Sequence, residues 1–135
     1  MNREIKFRVW DTTRGYFIKT TDGIDDDLCL GIDGDLYKVY SCYAGGGINI
    51  INSDNYVIQQ YTGLKDKKGK EIFEGDIIRG QDDDGNINKN YKNTWVEFQK
   101  GCFANHYWGH CLYDSELEVI GNIYQNPELL EAKHD

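Results

Sequence analysis

Apolar positions along this chain recur at every second residue. In "REIKFRVWD" (3–11), Ile5, Phe7 and Val9 point one way and Lys6, Arg8 and Trp10 the other, which predicts a strand with one buried face. "TTRG" (12–15) reads as a turn and "YFIK" (16–19) as the returning strand of a hairpin. "LYKVYSCY" (36–43) and "INIINSDNYVIQQY" (48–61) add β-branched and aromatic runs, broken by turn residues at "AGGG" (44–47) and "NSDN" (52–55). "TWVEF" (94–98), a "QKG" turn, "CFANHYW" (102–108) and "LEVIGNIY" (117–124) continue the pattern. The helical candidate is "NPELLEAKHD" (126–135): Asn126 can cap, Pro127 suits the first helical position, and Glu128 favours the positive end of the helix dipole.

Many short strands and one terminal helix predict an all-β or β-dominated fold. The segment "QYTGLKDKKGKEIFEGDIIRG" (60–80) sharpens this. Asp66, Lys67, Lys68 and Gly69 fall between two strand ends, the composition of a hairpin turn closed by a glycine at positive φ. In "IFEGDII", Gly75 turns the chain and Asp76 can accept local backbone hydrogen bonds before Ile77 and Ile78 begin a strand. Such steps suit small, strongly bent sheets of a partly SH3-like barrel character.

Composition adds limits. With 135 residues, one proline and no long polar linker, the chain reads as a single domain over 1–135, large enough to bury a core without metal or disulfide. Its ten tyrosines suit half-buried strand positions. The N-terminus alternates charge where a signal peptide needs an apolar run, and no stretch approaches the ~18 apolar residues of a membrane span. The expectation is a cytoplasmic protein with no membrane partner, whose four cysteines, Cys29, Cys42, Cys102 and Cys111, stay as free thiols.

Candidate chemistry is weighed against geometry. "CFANHYWGHC" holds Cys102, His106, His110 and Cys111, a set that raises zinc. On a strand, Cys102 and His106 lie about 13 Å apart and could not share one ion. A helix would bring His106 and His110 together, but Gly109 and the neighbouring aromatics oppose a helix there. The acidic runs "DGIDDD", "DGD" and "DDDG" fail the calcium-loop pattern: counted from Asp25 the sixth position is Leu30, and from Asp82 it is Ile87, where glycine is needed. They read as solvated loops. Glu71, Glu74, Asp76 and Glu97 are carboxylates that a magnesium-dependent nuclease could use, and Glu131 with Lys133 makes an acid-x-lysine pair on the terminal segment. No nucleophile elbow, phosphate-cradling glycine loop or other catalytic motif accompanies them, so the expectation is a non-enzyme without metal or cofactor.

Three blocks carry a family resemblance: "REIKFRVWD" at the start, "QYTGLKDKKGKEIFEGDIIR" in the middle and "EVIGNIYQNPELLE" at the end. In this order they resemble the YopX family, small proteins of bacteriophages and prophages, chiefly of Firmicutes. Residues 20–55 and 80–116 lie outside the resemblance. It implies a β-rich fold, a phage or prophage origin and a bacterial cytoplasmic setting, and it supplies neither an activity nor catalytic residues. The blocks are rich in glycine, aromatics and β-branched residues, the content that turns and a core require.

Two functional readings follow. The first is a non-catalytic accessory module, compatible with a homo-oligomer, that binds a host or phage protein through exposed aromatics such as Tyr107 and Trp108. The second is a nucleic-acid-binding small barrel whose Lys65, Lys67, Lys68, Lys70 and Arg79 form a basic strip on a hairpin. A net charge of −8 repels a polyanion and ranks nucleic acid below a protein partner.

Overall fold

A computed structural model describes residues 4–18, 28–40, 47–50, 55–80, 92–106, 112 and 117–131. The chain is strand-dominated, with a curled half-barrel sheet and one short C-terminal helix. It divides into two compact units, Met1–Arg8 with Gln59–Asp135, and Val9–Ile58.

The first unit contains a four-stranded antiparallel sheet of β8 (Asp76–Ile78), β9 (Thr94–Gln99), β10 (Cys102–Asn105) and β11 (Val119–Asn122), in the order β10-β9-β8-β11. Lys100 at φ 51° and Gly101 at φ 85° make the β9–β10 turn, which sets Phe98 opposite Phe103. A register shift between Val119 and Gly121 bends β11 against β8. Beside these lies the hairpin of β6 (Tyr56–Lys65, from Gln59 onward in this unit) and β7 (Glu71–Phe73), and the N-terminal segment joins it where Tyr61 N–H donates to the Lys6 carbonyl at 2.8 Å. Ile72, Ile78, Val96, Leu117 and Val119 form the core, with Leu64, Phe103 and Leu112 packed against it. Each such side chain contributes about 1.5–3 kcal/mol relative to exposure, and β7, β8, β9 and β11 each supply one β-branched member of this core.

β11 leads into α1 (Glu128–Glu131). Asn126 does not cap this helix through its side chain. Its carbonyl accepts from Leu129 N–H at 3.0 Å, while its Oδ1 turns back and accepts from Asn122 N–H at 3.2 Å. Tertiary docking on β11 outcompetes the local cap, because a buried strand amide needs the acceptor more than a solvated helix end does.

In the second unit, β1 (Phe7–Asp11, from Val9 onward here) and β2 (Tyr16–Phe17) form the expected hairpin, with Trp10 opposite Phe17 and their rings edge to face at 4.8 Å. Asp11 Oδ1 accepts from Thr13 and Arg14 N–H, both at 2.9 Å, and fixes the turn. β3 (Leu28–Leu30), β4 (Leu36–Tyr40) and β5 (Gly47–Ile50) form an antiparallel sheet in that order. β3 was not expected from the sequence. In its turn, Asp33 accepts from Asp35 N–H at 3.1 Å and from the Tyr37 hydroxyl at 2.6 Å. The Tyr37 hydroxyl, then the Asp35 amide, lowers the Asp33 pKa.

The alternation expected for residues 5–10 holds through Arg8 with its faces exchanged, and ends there, because Val9 is half-buried and Trp10 buried. Ile5 and Phe7 are 60% and 42% exposed, whereas Trp10 is buried and Arg8 is largely enclosed. Trp10 gains an aromatic partner, and Arg8 gains an internal carboxylate, which offsets part of the cost of turning a charge inward.

Candidate functional site

The β6–β7 turn is held by a single carboxylate. Asp66 Oδ1 accepts from the N–H groups of Lys68 at 2.9 Å and Lys70 at 2.8 Å, and its Oδ2 accepts from Val119 N–H at 3.1 Å. Desolvation pushes the Asp66 carboxyl up, but the three backbone donors and nearby Lys70 outweigh it, and the net shift is downward. Lys67 N–H donates to the Leu117 carbonyl at 2.9 Å, so the turn is fastened to the chain entering β11 at two points.

This fastening concentrates positive charge around Glu118. Lys68 Nζ lies 3.2 Å from its Oε1, while Lys67 Nζ at 3.5 Å and Arg79 Nε at 2.8 Å both reach Oε2. Desolvation raises the Glu118 pKa, but the Lys68 bond and the charges of Arg79, Lys67 and Lys68 bring it down overall. Three of the five basic residues expected to form a strip therefore converge on one carboxylate. Lys65 stands exposed at the end of β6, opposite Glu71 in register, and Lys70 is exposed beside the turn. Glu118 was missed by sequence reasoning. It is remote in sequence from all three of its cations, and no local pattern marks it.

A second polar cluster is internal. Asp76 is 1% exposed and receives the Arg8 guanidinium at its Oδ1, Phe73 N–H at Oδ2 (2.9 Å) and Asn122 Nδ2 at Oδ1 (3.3 Å). Gln59 Oε1 accepts from Arg8 Nε at 2.8 Å and from Asn122 Nδ2 at 3.2 Å. The Arg8 guanidinium also lies over the Phe73 ring, 4.5 Å from its centroid. Gly75 closes the cluster: at φ 81° it sits where a Cβ would fall 2.2 Å from Gln59 Nε2. Asp76 thus makes the local backbone bond expected of it and two tertiary bonds besides.

The other candidates are dispersed. Glu71 pairs with Lys6, whose pKa is raised first by Glu71 and then by Glu4. Glu74 Oε1 accepts from Gln60 N–H, and Glu97 Oε1 lies 2.9 Å from His106 Nδ1 and accepts from Gln99. The His106 ring stacks on Trp95 at 3.8 Å. Among the described residues no three His, Cys, Asp or Glu side chains are placed to hold a metal ion. Cys29 is exposed and free, but Cys102 is disulfide-bonded, which corrects the free-thiol expectation. Bond formation depends on which thiols the fold brings together, and a compartment rule carries no information on that. Tyr107, Trp108, His110, Cys111, Cys42 and Lys133 lie outside the described residues, as do the runs at 22–27 and 82–85. Among the described residues no helix is long and apolar enough to cross a membrane.

The YopX protein family model matches residues 6–131. The crystal structure of protein EF1440 from Enterococcus faecalis is similar at 27% identity and a TM-score of 0.58, over 96% of this chain and 99% of that one. The X-ray structure of protein yopX from Bacillus subtilis is similar at 25% identity and a TM-score of 0.52, with the same shares covered. No curated protein matches.

Proposed function

The chain belongs to the YopX family, and from that premise we propose that it is a non-catalytic protein-interaction module, an accessory protein of a phage or prophage acting in the bacterial cytoplasm. The partner is a host or phage protein, and self-association is one form the interaction can take. The observation that carries this reading is where the apolar surface lies. Phe98 is 58% exposed and packs edge to face on its cross-strand neighbour Phe103 at 5.2 Å. Ile5 and Phe7, two residues apart, are exposed as well. Aromatic side chains are enriched at interfaces. By contrast, the internal polar groups Asp76, Gln59 and Asn122 bond to one another and to the fold.

The test is a photo-crosslinking residue placed at position 98 in the producing bacterium. A discrete adduct at 98, absent when the same residue replaces exposed Thr13, is expected. Equal labelling at both positions, or none at either, sinks the reading.

The second reading, nucleic-acid binding through Lys65, Lys67, Lys68, Lys70 and Arg79, is favoured by the clustering of Lys67, Lys68 and Arg79 around Glu118. It ranks lower because the chain as a whole carries −8.

A further inference from the structure

The cation cluster supports a narrower inference that is independent of the protein-interaction reading. We propose that Lys67, Lys68 and Arg79, gathered around Glu118, form a cradle for a phosphate group. One carboxylate balances only one of the three positive charges that surround it. The remaining carboxylate of the turn, Asp66, is turned inward on three backbone N–H groups, and the ion pairs of Lys67, Lys68 and Arg79 all go to Glu118 instead. Among the described residues, three cations thus share one carboxylate where Lys68, with its side chain 69% exposed, meets solvent.

Geometry favours a compact anion. Lys67 and Arg79 share one Glu118 oxygen while Lys68 takes the other, so the three cationic groups converge within 3.5 Å of one carboxylate. Arg79 engages Glu118 through Nε, and a guanidinium held at that nitrogen presents its terminal N–H groups as a fork for phosphate oxygens. The positions are set in advance. Arg79 N–H donates to the Glu118 carbonyl at 3.0 Å, Lys67 N–H to the Leu117 carbonyl, and Asp66 anchors Val119. A bound phosphate would thus meet an ordered backbone and would need only small adjustments of three side chains. Glu118 holds the cations together in its absence and competes with it for them.

That dual role gives a test in which variants move in opposite directions. The protein is titrated in low-chloride buffer with inorganic phosphate, with a mononucleotide and with a short DNA duplex, and binding is read by calorimetry and by amide NMR shifts at residues 65–79 and 117–119. Lys68→Gln and Arg79→Gln should each weaken phosphate binding about two- to fivefold, the range of an exposed charge pair, while Glu118→Gln should strengthen it by a similar factor. Lys92→Gln, an exposed lysine outside the cluster, should change nothing. If all three probes bind with this pattern and similar affinity, the ligand is a free phosphate compound. A preference for the duplex with the same pattern assigns the phosphate to a nucleic-acid backbone. The proposal is overturned if no probe binds, if Lys92→Gln weakens binding as much as Lys68→Gln does, or if Glu118→Gln weakens it.

Discussion

Replacing Asp66 with asparagine tests whether one carboxylate organises the β6–β7 turn. The change keeps size and shape, and one oxygen can still accept from Lys68 and Lys70 N–H. The other oxygen becomes an NH2 facing the buried Val119 N–H, so donor meets donor. Losing one hydrogen bond to a charged acceptor costs about 1.5–3 kcal/mol. For a chain of this length that corresponds to a melting temperature lower by roughly 5–10 °C. Asp66→Ala, which strips all three donors, should cost more, about 3–5 kcal/mol. Acid supplies a second readout. Because folding lowers the Asp66 pKa, its contribution is present above the ordinary carboxylate value of about 4 and is lost as pH falls through the lowered one. Urea unfolding of wild type and Asp66→Asn should therefore differ most near neutrality and converge below about pH 4. A gap that persists unchanged at pH 3, or a neutral-pH loss under about 0.5 kcal/mol, the scatter of ordinary surface substitutions, would refute the reasoning.

Two further outcomes are expected. Gly75→Ala and Gly69→Ala impose alanine on nearly the same positive φ, 81° and 83°, but only the Gly75 Cβ meets a neighbour. Gly69→Ala should thus cost about 1–2 kcal/mol and Gly75→Ala at least about 2 kcal/mol more, because Gln59 must leave its buried partners; equal losses in a thermal melt would discard the steric account. Alkylation without reductant, read by peptide mass, should label Cys29 and spare Cys102 until reductant is added; a Cys102 peptide labelled from the start would contradict the disulfide.

The strands were legible where local chemistry dominates. The turns at Gly69, Gly75 and Gly101 have the positive φ that their sequences announce. β3 was not found, although "LCL" and "LYKVY" flank "GIDGD" with the spacing of a hairpin, because three residues are too short a run for alternation to stand out. The exchanged faces of residues 5–8 show a different limit. Hydrophobicity ranks Ile5 and Phe7 above Arg8, and the arginine turns inward only because Asp76 and Gln59 wait there, far away in sequence. Glu118 is another case: a basic strip is visible in "KDKKGK", but the acid that gathers its lysines is supplied by tertiary structure.

The same long-range logic explains what the three resembling blocks have in common. Arg8 lies in the first, Asp76 in the second and Asn122 in the third, with Gln59 just before the second, and all four side chains join one hydrogen-bonded cluster. Removing any partner would strand a buried donor or charge, at a cost well above that of a surface contact. Arg8 and Asp76 specify each other, and Gly75 is constrained by the space that Gln59 occupies. Hydrophobic core positions lack this property, since Ile72 or Val96 can exchange with residues of similar volume at modest cost. A polar cluster built from three distant segments ties Arg8 to Gln59 and Asp76 through hydrogen bonds whose partners polarise one another. In this chain the three resembling blocks therefore meet in the scaffold, while Phe98 and the cations around Glu118 are held outward.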